Sequence, residues 1–284
     1  MTRLGLHFDL ITSFRKMESL RRSFKPPKML IKLYSLFILI LDLATLLIGI
    51  FFAILIAVYR TFRPPPLKSL HGEVAMIVGA GRGIGRELAI HLCQLGVSVA
   101  CVDINVENCN TTVLSASQGI GIAKPYICNV TIKNELLETV LPCMEQTGKG
   151  HIVVLSSVAG LSGGATGGSR VPLSTAQFAV QGLAESLHTE LRHSNSNIII
   201  TLVHVYPFIV GAEAAKDIRF RIPSYFGTMP AAEAAKQILD GVRRNYAEFS
   251  VPGYLLYLGH VLRILPKKAS FMLRDLLDTG VDFG

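Results

Sequence analysis

Glycines occupy every second position from Gly79 to Gly85, directly after an apolar run over residues 74–78. An apolar run bounded by glycine is typical of a strand buried on both faces. Residues 86–95 then carry apolar side chains at helical spacing, and a second apolar run ends at Asp103. Strand, glycine turn, helix, strand and acid is the order found in a dinucleotide-binding βαβ unit.

The chemistry that this order supports is recognition of a pyrophosphate and a ribose. Free N–H groups at the start of the helix, together with the positive end of its dipole, suit a pyrophosphate. A Cβ at Gly79, Gly83 or Gly85 would block the close approach of that ligand, or of the helix to the strand. A carboxylate at Asp103 can accept hydrogen bonds from a ribose diol and repels a 2′-phosphate, so we expect NAD to be preferred over NADP. A tight turn without a ligand is the alternative.

The glycine spacing G-x-x-x-G-I-G over residues 79–85 resembles that of the short-chain dehydrogenase/reductase family. Residues 103–105 are similar to the second-strand ending of its membrane-anchored branch, which holds epidermal retinol dehydrogenases and some 17β-hydroxysteroid dehydrogenases. Residues 150–157 resemble the family's catalytic-serine strand, and residues 178–191 resemble the helix that follows its catalytic tyrosine. The likeness covers roughly residues 70–270. It implies an α/β fold with a Rossmann-type doubly wound parallel sheet, and NAD-linked oxidation or reduction of a lipophilic alcohol or ketone.

The resemblance assigns site residues position by position. The catalytic candidate is Ser157, which would polarise the substrate oxygen, although a structural strand-end serine is the alternative role. Asn129 stands where the family usually has an aspartate that touches the adenine, and an asparagine still offers an amide there. The residues assigned to the cofactor are Gly79, Gly81, Arg82, Gly83, Ile84, Gly85, Asp103, Ile104, Asn129 and Val130.

The chain departs from the family between its third strand, predicted over residues 124–130, and the serine strand. Family members have there a helix, a fourth strand that ends in Asn-Asn-Ala-Gly, and a helix with a catalytic-site asparagine. This chain is short by roughly 45 residues against a doubly wound domain of ordinary size. We therefore expect a sheet truncated by one central strand, and with it the loss of one wall of the nicotinamide pocket.

A second departure concerns proton transfer. Oxidation of an alcohol by hydride transfer releases a proton that needs a base within hydrogen-bond reach. The family uses a tyrosine whose pKa is lowered by a lysine four residues later. Alignment on Phe178 places Leu173 at the tyrosine position and Gln177 at the lysine position, and residues 150–205 contain neither tyrosine nor lysine. The sequence therefore predicts little or no dehydrogenase activity.

An apolar stretch over residues 33–59 predicts a membrane anchor, in a chain that is 50% hydrophobic. Residues 39–59 alone match the ~20 residues that a helix needs to cross a bilayer. The basic residues upstream are expected to face lipid headgroups, since no aromatic stacking residues alternate with them, and no nucleic acid is expected. A hairpin that leaves both ends in the cytosol is an alternative to a spanning helix. The eight histidines are scattered without ligand spacing, so no metal is expected.

The predicted organisation has five parts. They are a basic tail (1–32), an anchor helix (33–63), a proline-rich linker (64–72), the dinucleotide-binding domain (73–250) and an apolar and basic C-terminal segment (251–284). The last part resembles the branch's membrane-surface or substrate-lid helix, with a packing helix as the alternative. The resemblance also implies a cytosolic domain on the endoplasmic reticulum or lipid droplets, and a possible homodimer. A non-enzymatic membrane-associated nucleotide-binding or scaffold protein, or an incomplete form of an active enzyme, are the alternative functions.

Overall fold

The computed structural model describes residues 28–130, 136–157, 159–162, 171–194, 196–205, 209–210 and 229–277. It divides into two compact units, Met1–Pro65 and Pro66–Gly284. Most of the predicted basic tail, residues 1–27, lies outside the described residues. In the first unit, helix α1 (Lys28–Phe62) is long and apolar enough to cross a membrane by length and composition. Nearly all of its described leucine, isoleucine and phenylalanine side chains are exposed.

The second unit contains parallel sheets, as the strand–helix alternation predicts. One three-stranded sheet has the order β1-β2-β3, another has the order β4-β5-β8, and β6 pairs with β7. The strands are β1 (Val74–Val78), β2 (Ser98–Asp103), β3 (Ile122–Ile127), β4 (Gly150–Ser157), β5 (Ile198–Val205), β6 (Ile209–Val210), β7 (Met229–Pro230) and β8 (Glu248–Val251). The register sets Val74 opposite Ser98 and Gly150 opposite Ile198.

Helices lie between most successive strands, as expected for parallel crossovers, and the last two helices follow β8. They are α2 (Gly83–Gln94), α3 (Val106–Ala116), α4 (Leu136–Thr147), α5 (Ala159–Ser162), α6 (Val171–His193), α7 (Ala231–Arg243), α8 (Tyr254–Ile264) and α9 (Lys267–Leu277). The Asn105 side chain caps α3 by accepting a hydrogen bond from the Asn108 N–H at 2.9 Å. Gly96, with a φ of +79°, turns the chain after α2 into β2.

One apolar cluster of the described residues contains side chains from both three-stranded sheets. It joins Val99 of β2, Val203 of β5 and Val251 of β8 to Leu88 of α2 and Ile238 of α7. The same helical layer therefore holds the two sheets, although no ladder joins β1 to β4 among the described strands. The predicted fold class is confirmed. The sheet is interrupted beside β1, at the position where the sequence predicts the loss of a central strand.

The amino ends of the strands are held by a polar cluster around His151. Lys68 Nζ donates to His151 Nδ1 at 3.0 Å and to Asn245 Oδ1 at 2.8 Å. His151 Nε2 donates to Thr201 Oγ1 at 2.8 Å, because the Thr201 hydroxyl itself donates to the Tyr246 carbonyl. Burial, aided by the Lys68 charge, lowers the pKa of His151 to about 4. The linker is thus fastened to β4 and β5 by a neutral histidine.

We expect the free energy of unfolding to fall as the pH drops from about 6.5 towards 4. The decrease should be at most about 3 kcal/mol, because the His151 ring is only partly buried. In this window the unfolded chain binds a proton that native His151 does not, so the contribution is complete above pH 6.5. His151→Gln keeps the hydrogen bonds without the titration and should flatten this part of the curve. Urea unfolding of the full-length protein in detergent, repeated across this pH range, measures the free energy of unfolding. An exposed-site control, His188→Gln, should keep the wild-type slope; a wild-type slope in His151→Gln would contradict the assignment.

Candidate functional site

The turn between β1 and α2 requires glycine for two different reasons. Gly79 and Gly83 have positive φ angles of +81° and +58°, which disfavour residues with a Cβ. Apart from the adjacent backbone, no described protein atom lies within 4 Å of an ideal Cβ at either residue, so the space beside them is open. A Cβ at Gly85 would instead collide with the Gly79 carbonyl oxygen, so this glycine permits the close approach of α2 to the turn.

Asp103 is tied to the same turn by its carboxylate. Its Oδ2 accepts a hydrogen bond from the Gly81 N–H at 2.7 Å, and its Oδ1 accepts one from the Asn105 N–H at 2.9 Å. The Asn105 bond, with those from Gly81 and Ile104, holds the pKa of Asp103 below its ordinary value against a smaller opposing effect of burial. The acid at the end of β2 is therefore an ionised hydrogen-bond acceptor beside the glycine turn.

The first turn of α2 leaves its N–H groups without a side-chain cap. The N-cap residue Arg82 is extended, with φ −152° and ψ 169°, and its side chain makes no capping bond. This contrasts with α3, where Asn105 fills that role. Uncapped N–H groups at the positive end of a helix dipole, next to open space at Gly83, are suited to bind an anionic group. Ile84, the next residue, packs against the apolar core.

The end of β3 completes this side of the site. The Cys128 N–H donates to the Asp103 carbonyl at 3.1 Å, which places the following residues Asn129 and Val130, both half-buried, beside the end of β2. Ile104 is 65% exposed. The structure therefore brings the three predicted cofactor segments together at the carboxyl ends of adjacent parallel strands, where ligands bind in open α/β sheets. The prediction of a third strand over residues 124–130 is shifted: β3 begins at Ile122 and ends at Ile127, before Asn129.

Ser157 lies at the carboxyl end of β4, beside α6. Gln177 Oε1 of α6 accepts hydrogen bonds from the Ser157 N–H at 2.9 Å and from the Ser156 hydroxyl at 3.1 Å. Ser157 Oγ accepts a bond from the Ala159 N–H at 3.3 Å. The hydroxyl of Ser157 is thus held by the chain that follows it, and it can still donate its own proton.

Neither Leu173 nor Gln177, the two positions that the resemblance assigns to the proton-transfer pair, carries a titratable group. Leu173, four residues upstream on the same helix, is a hydrocarbon side chain with 49% exposure. The Gln177 carboxamide is neutral, and its oxygen is engaged by the end of β4. The described helix α6 contains no tyrosine or lysine at any position. This part of the site can polarise an oxygen through Ser157, but neither Leu173 nor Gln177 can accept a proton at neutral pH.

Sequence reasoning missed the role of Arg263 in α8. Its Nε donates to the Leu161 carbonyl at 2.6 Å, and its guanidinium lies 5.3 Å from the centre of the Phe178 ring. Leu255 and Leu262 on the same helix are buried. The inner face of α8 therefore packs against the segment that follows Ser157. The signal in the sequence was a single basic residue within an apolar run, which does not reveal its partners.

Comparisons with known proteins agree with this geometry. A family model of the short chain dehydrogenases matches residues 73–136 and 122–221. Epidermal retinol dehydrogenase 2 of Homo sapiens is 24% identical over 278 residues, which cover 80% of this chain and 89% of that protein. The 17-beta-hydroxysteroid dehydrogenase 13 of Homo sapiens is 25% identical over 289 residues, which cover 84% of this chain and 94% of that protein.

A solved structure shows the same fold. A short-chain dehydrogenase/reductase from Burkholderia phymatum, crystallised in complex with NAD, has a TM-score of 0.56 and 17% identity, over 69% of this chain and 94% of that one. The family match covers more than half of the chain, in two segments that overlap between residues 122 and 136, just before the predicted deletion. The chain belongs to the short-chain dehydrogenase/reductase family, in the branch that includes epidermal retinol dehydrogenase 2 and 17-beta-hydroxysteroid dehydrogenase 13.

Proposed function

We propose that this protein is a membrane-anchored family member that binds NAD(H) in preference to NADP(H) and oxidises alcohols very slowly or not at all. The observation that carries the proposal is the contrast between the two halves of the site. The turn around Gly83 and the ionised Asp103 suit a nucleotide, whereas Leu173 and Gln177 occupy the positions of a proton-transfer pair. These positions are assigned from the family resemblance. The hydrogen bonds of Gln177 to the end of β4 support a structural role for this residue.

The nucleotide half would work through groups that need no rearrangement. The N–H groups of the first turn of α2 would hold the pyrophosphate, and Asp103 would accept hydrogen bonds from the ribose diol of the adenosine. A phosphate on that ribose would meet the ionised Asp103 carboxylate, whose pKa is lowered. Bound NAD would supply the hydride acceptor. A solved relative in complex with NAD supports the choice of cofactor class.

The chemical half has no proton acceptor at the two described positions Leu173 and Gln177. Ser157 can donate a hydrogen bond to an alcohol or carbonyl oxygen, but a serine hydroxyl does not take up a proton at neutral pH. The names of the relatives, a retinol dehydrogenase and a hydroxysteroid dehydrogenase, support a lipophilic alcohol as the molecule bound there. We assign the anchor to the endoplasmic reticulum or lipid droplets, with the second unit in the cytosol, because the branch resemblance implies that placement.

One preparation of the full-length protein in detergent tests the proposal. Titration measures NADH binding, and NADH formation from NAD and an alcohol measures turnover. Binding of NADH without turnover supports the proposal. Absence of NADH binding would contradict its statement on the nucleotide, and clear turnover would contradict its statement on catalysis.

The anchor makes a separate prediction. Because α1 has uncovered apolar side chains throughout its described length, the full-length protein should stay in the membrane pellet after alkaline carbonate extraction. A truncated variant that begins at Leu67 should move largely to the supernatant, as immunoblots of the two fractions would show. Release of the full-length protein by carbonate would contradict an integral anchor.

A further inference from the structure

The short helix α5 lies between the candidate serine and helix α8. Its first residue donates a hydrogen bond from the Ala159 N–H to Ser157 Oγ at 3.3 Å, so α5 helps to hold the hydroxyl of Ser157. The helix has only 4 residues, and the last carbonyl groups of so short a helix find no N–H partner within it. The placement of Ser157 therefore depends on what holds the far end of α5.

Arg263 of α8 holds that end. Its Nε donates to the Leu161 carbonyl at 2.6 Å, and its Nη2 donates to the Gly160 carbonyl at 3.2 Å. The positive charge strengthens both hydrogen bonds, and a planar guanidinium presents its donors in a fixed fork that a lysine ammonium lacks. The end of α5 is thus fixed to α8 by two charged hydrogen bonds from one side chain.

The same guanidinium also reaches α6, the helix that carries Gln177. Its Nη2 lies 3.4 Å from Gln181 Oε1, and its central carbon lies 5.3 Å from the centre of the Phe178 ring, which is a cation–π distance. Phe178 directly follows Gln177, whose side chain accepts the hydrogen bond of the Ser157 N–H. Arg263 therefore holds together α5 and α6, the helices that contact Ser157.

Close packing on both sides of α5 leaves little room for it to move. An ideal Cβ on Gly160 would lie 2.9 Å from the Gln177 carbonyl oxygen and 3.0 Å from Ser156 Oγ, so α5 lies directly against α6 and β4. An ideal Cβ on Gly259 of α8 would lie 2.9 Å from the Leu161 Cβ, and Leu161 is 1% exposed. Because packed side chains transmit displacements, a shift of α8 would move α5 and with it the end of β4.

We infer that Arg263 is a positioning residue for the ligand site at Ser157, which it orders through α5 and α6. The inference rests on the proposed function, in which a lipophilic alcohol binds at Ser157. The groups assigned to the nucleotide lie on other elements, namely the glycine turn, α2 and the end of β2, so NAD(H) binding should not depend on Arg263. A general effect on folding would weaken the binding of both molecules, which separates the two roles.

Binding of tritium-labelled oestradiol, a 17β-hydroxysteroid, to the full-length protein immobilised in detergent tests the inference, with NADH titrated in parallel. Arg263→Met keeps an apolar side chain of similar length without hydrogen-bond donors, and Arg263 is an exposed residue, so the buried core stays intact. Oestradiol should bind about tenfold more weakly to this variant, with NADH affinity unchanged. Arg263→Lys should restore part of the loss, because an ammonium can donate to a carbonyl without forming the fork.

The same substitution in a Ser157→Ala background shows whether Arg263 acts through Ser157. Losses that share one cause do not add, so Arg263→Met should weaken oestradiol binding by less than about twofold in this background. Additive losses, an unchanged oestradiol affinity in Arg263→Met, or an equal loss of NADH affinity would each overturn the inference. Absence of oestradiol binding by the wild type would overturn the proposed ligand as well, whereas binding that depends on Ser157 but not on Arg263 would overturn this inference alone.

A glycine pair on α8 provides a second test, which decides the question if circular dichroism shows that Arg263→Met does not fold. Gly259→Ala pushes α8 away from Leu161 with Arg263 in place, so it should also weaken oestradiol binding and leave NADH binding unchanged. Gly253→Ala is the matched control, because no described atom outside the adjacent backbone lies within 4 Å of a Cβ there. Wild-type oestradiol affinity in Gly259→Ala, or an equal loss in Gly253→Ala, would contradict coupling through α5.

Discussion

NADH should bind to the full-length protein at least tenfold more tightly than NADPH, and Asp103→Ala should reduce that ratio to near one. The expected effect follows from an ionised carboxylate, held in place by the Gly81 and Asn105 N–H groups, for which we propose contact with the ribose hydroxyls. Loss of the carboxylate removes the acceptor for the diol and the repulsion of the 2′-phosphate together. Titration of both nucleotides against wild type and variant, at one salt concentration, measures the ratio.

Two controls make this result specific. Glu107→Ala removes a nearby exposed charge in the first turn of α3 and should leave the ratio unchanged. Gly83→Trp places a large side chain at a residue with positive φ beside the open space of the turn, and should abolish binding of both nucleotides. If wild-type protein binds NADPH as tightly as NADH, Asp103 does not lie at the ribose.

Oxidation of retinol or a 17β-hydroxysteroid by the unmodified protein should not exceed the rate of the Gly83→Trp variant. Removal of a general base lowers a rate by ~10²–10⁴, and the loss of its lysine partner removes the means of tuning a substitute. Simultaneous Leu173→Tyr and Gln177→Lys substitution should not restore activity. The shortened chain predicts that the nicotinamide lacks one wall of its pocket, and a lysine ammonium cannot accept the bonds that Gln177 accepts from Ser156 and Ser157. NADH formation under saturating NAD measures the oxidation rate of the unmodified protein and of the double variant.

The matched comparison for the double variant is Leu173→Phe with Gln177→Met, which changes the same positions without a titratable group. Activity confined to the tyrosine–lysine variant would mean that the interrupted sheet still positions the nicotinamide. Equal traces of activity in both double variants would point to a contaminating enzyme, which the Gly83→Trp protein would show too.

The nucleotide half of the site could be predicted because its determinants are local. The apolar run, the glycines and Asp103 lie within about one βαβ unit, where spacing alone decides which groups meet. The bond from Gly81 to Asp103 is a refinement of that pattern, not a departure from it. The bounds of the third strand were harder to predict from the sequence. Its residues 122–127 are fixed by pairing with β2, and no glycine or charge after Ile127 marks where that pairing stops.

The other half depends on contacts that sequence spacing does not encode. Gln177 lies 20 residues from Ser157, and its bonds to the end of β4 follow from the packing of α6 against that sheet. Arg263 lies 102 residues from Leu161. The shortened chain predicted a lost strand, but the sequence does not say whether the neighbours of a lost strand close together or remain apart. Here the common core and the Glu73–Lys149 pair accompany strands that stay unpaired.

The central claim, a nucleotide bound without hydride transfer, is tested most directly by isotope transfer at stoichiometric protein. Full-length protein is incubated with NAD and retinol deuterated at its carbinol carbon, and the recovered nicotinamide is analysed by mass spectrometry. The absence of a proton acceptor at Leu173 and Gln177 predicts no deuterated NADH above the amount found with Gly83→Trp. Deuterated NADH in amounts comparable to the protein, formed by the wild type alone, would contradict the claim and show that another group in this chain accepts the proton.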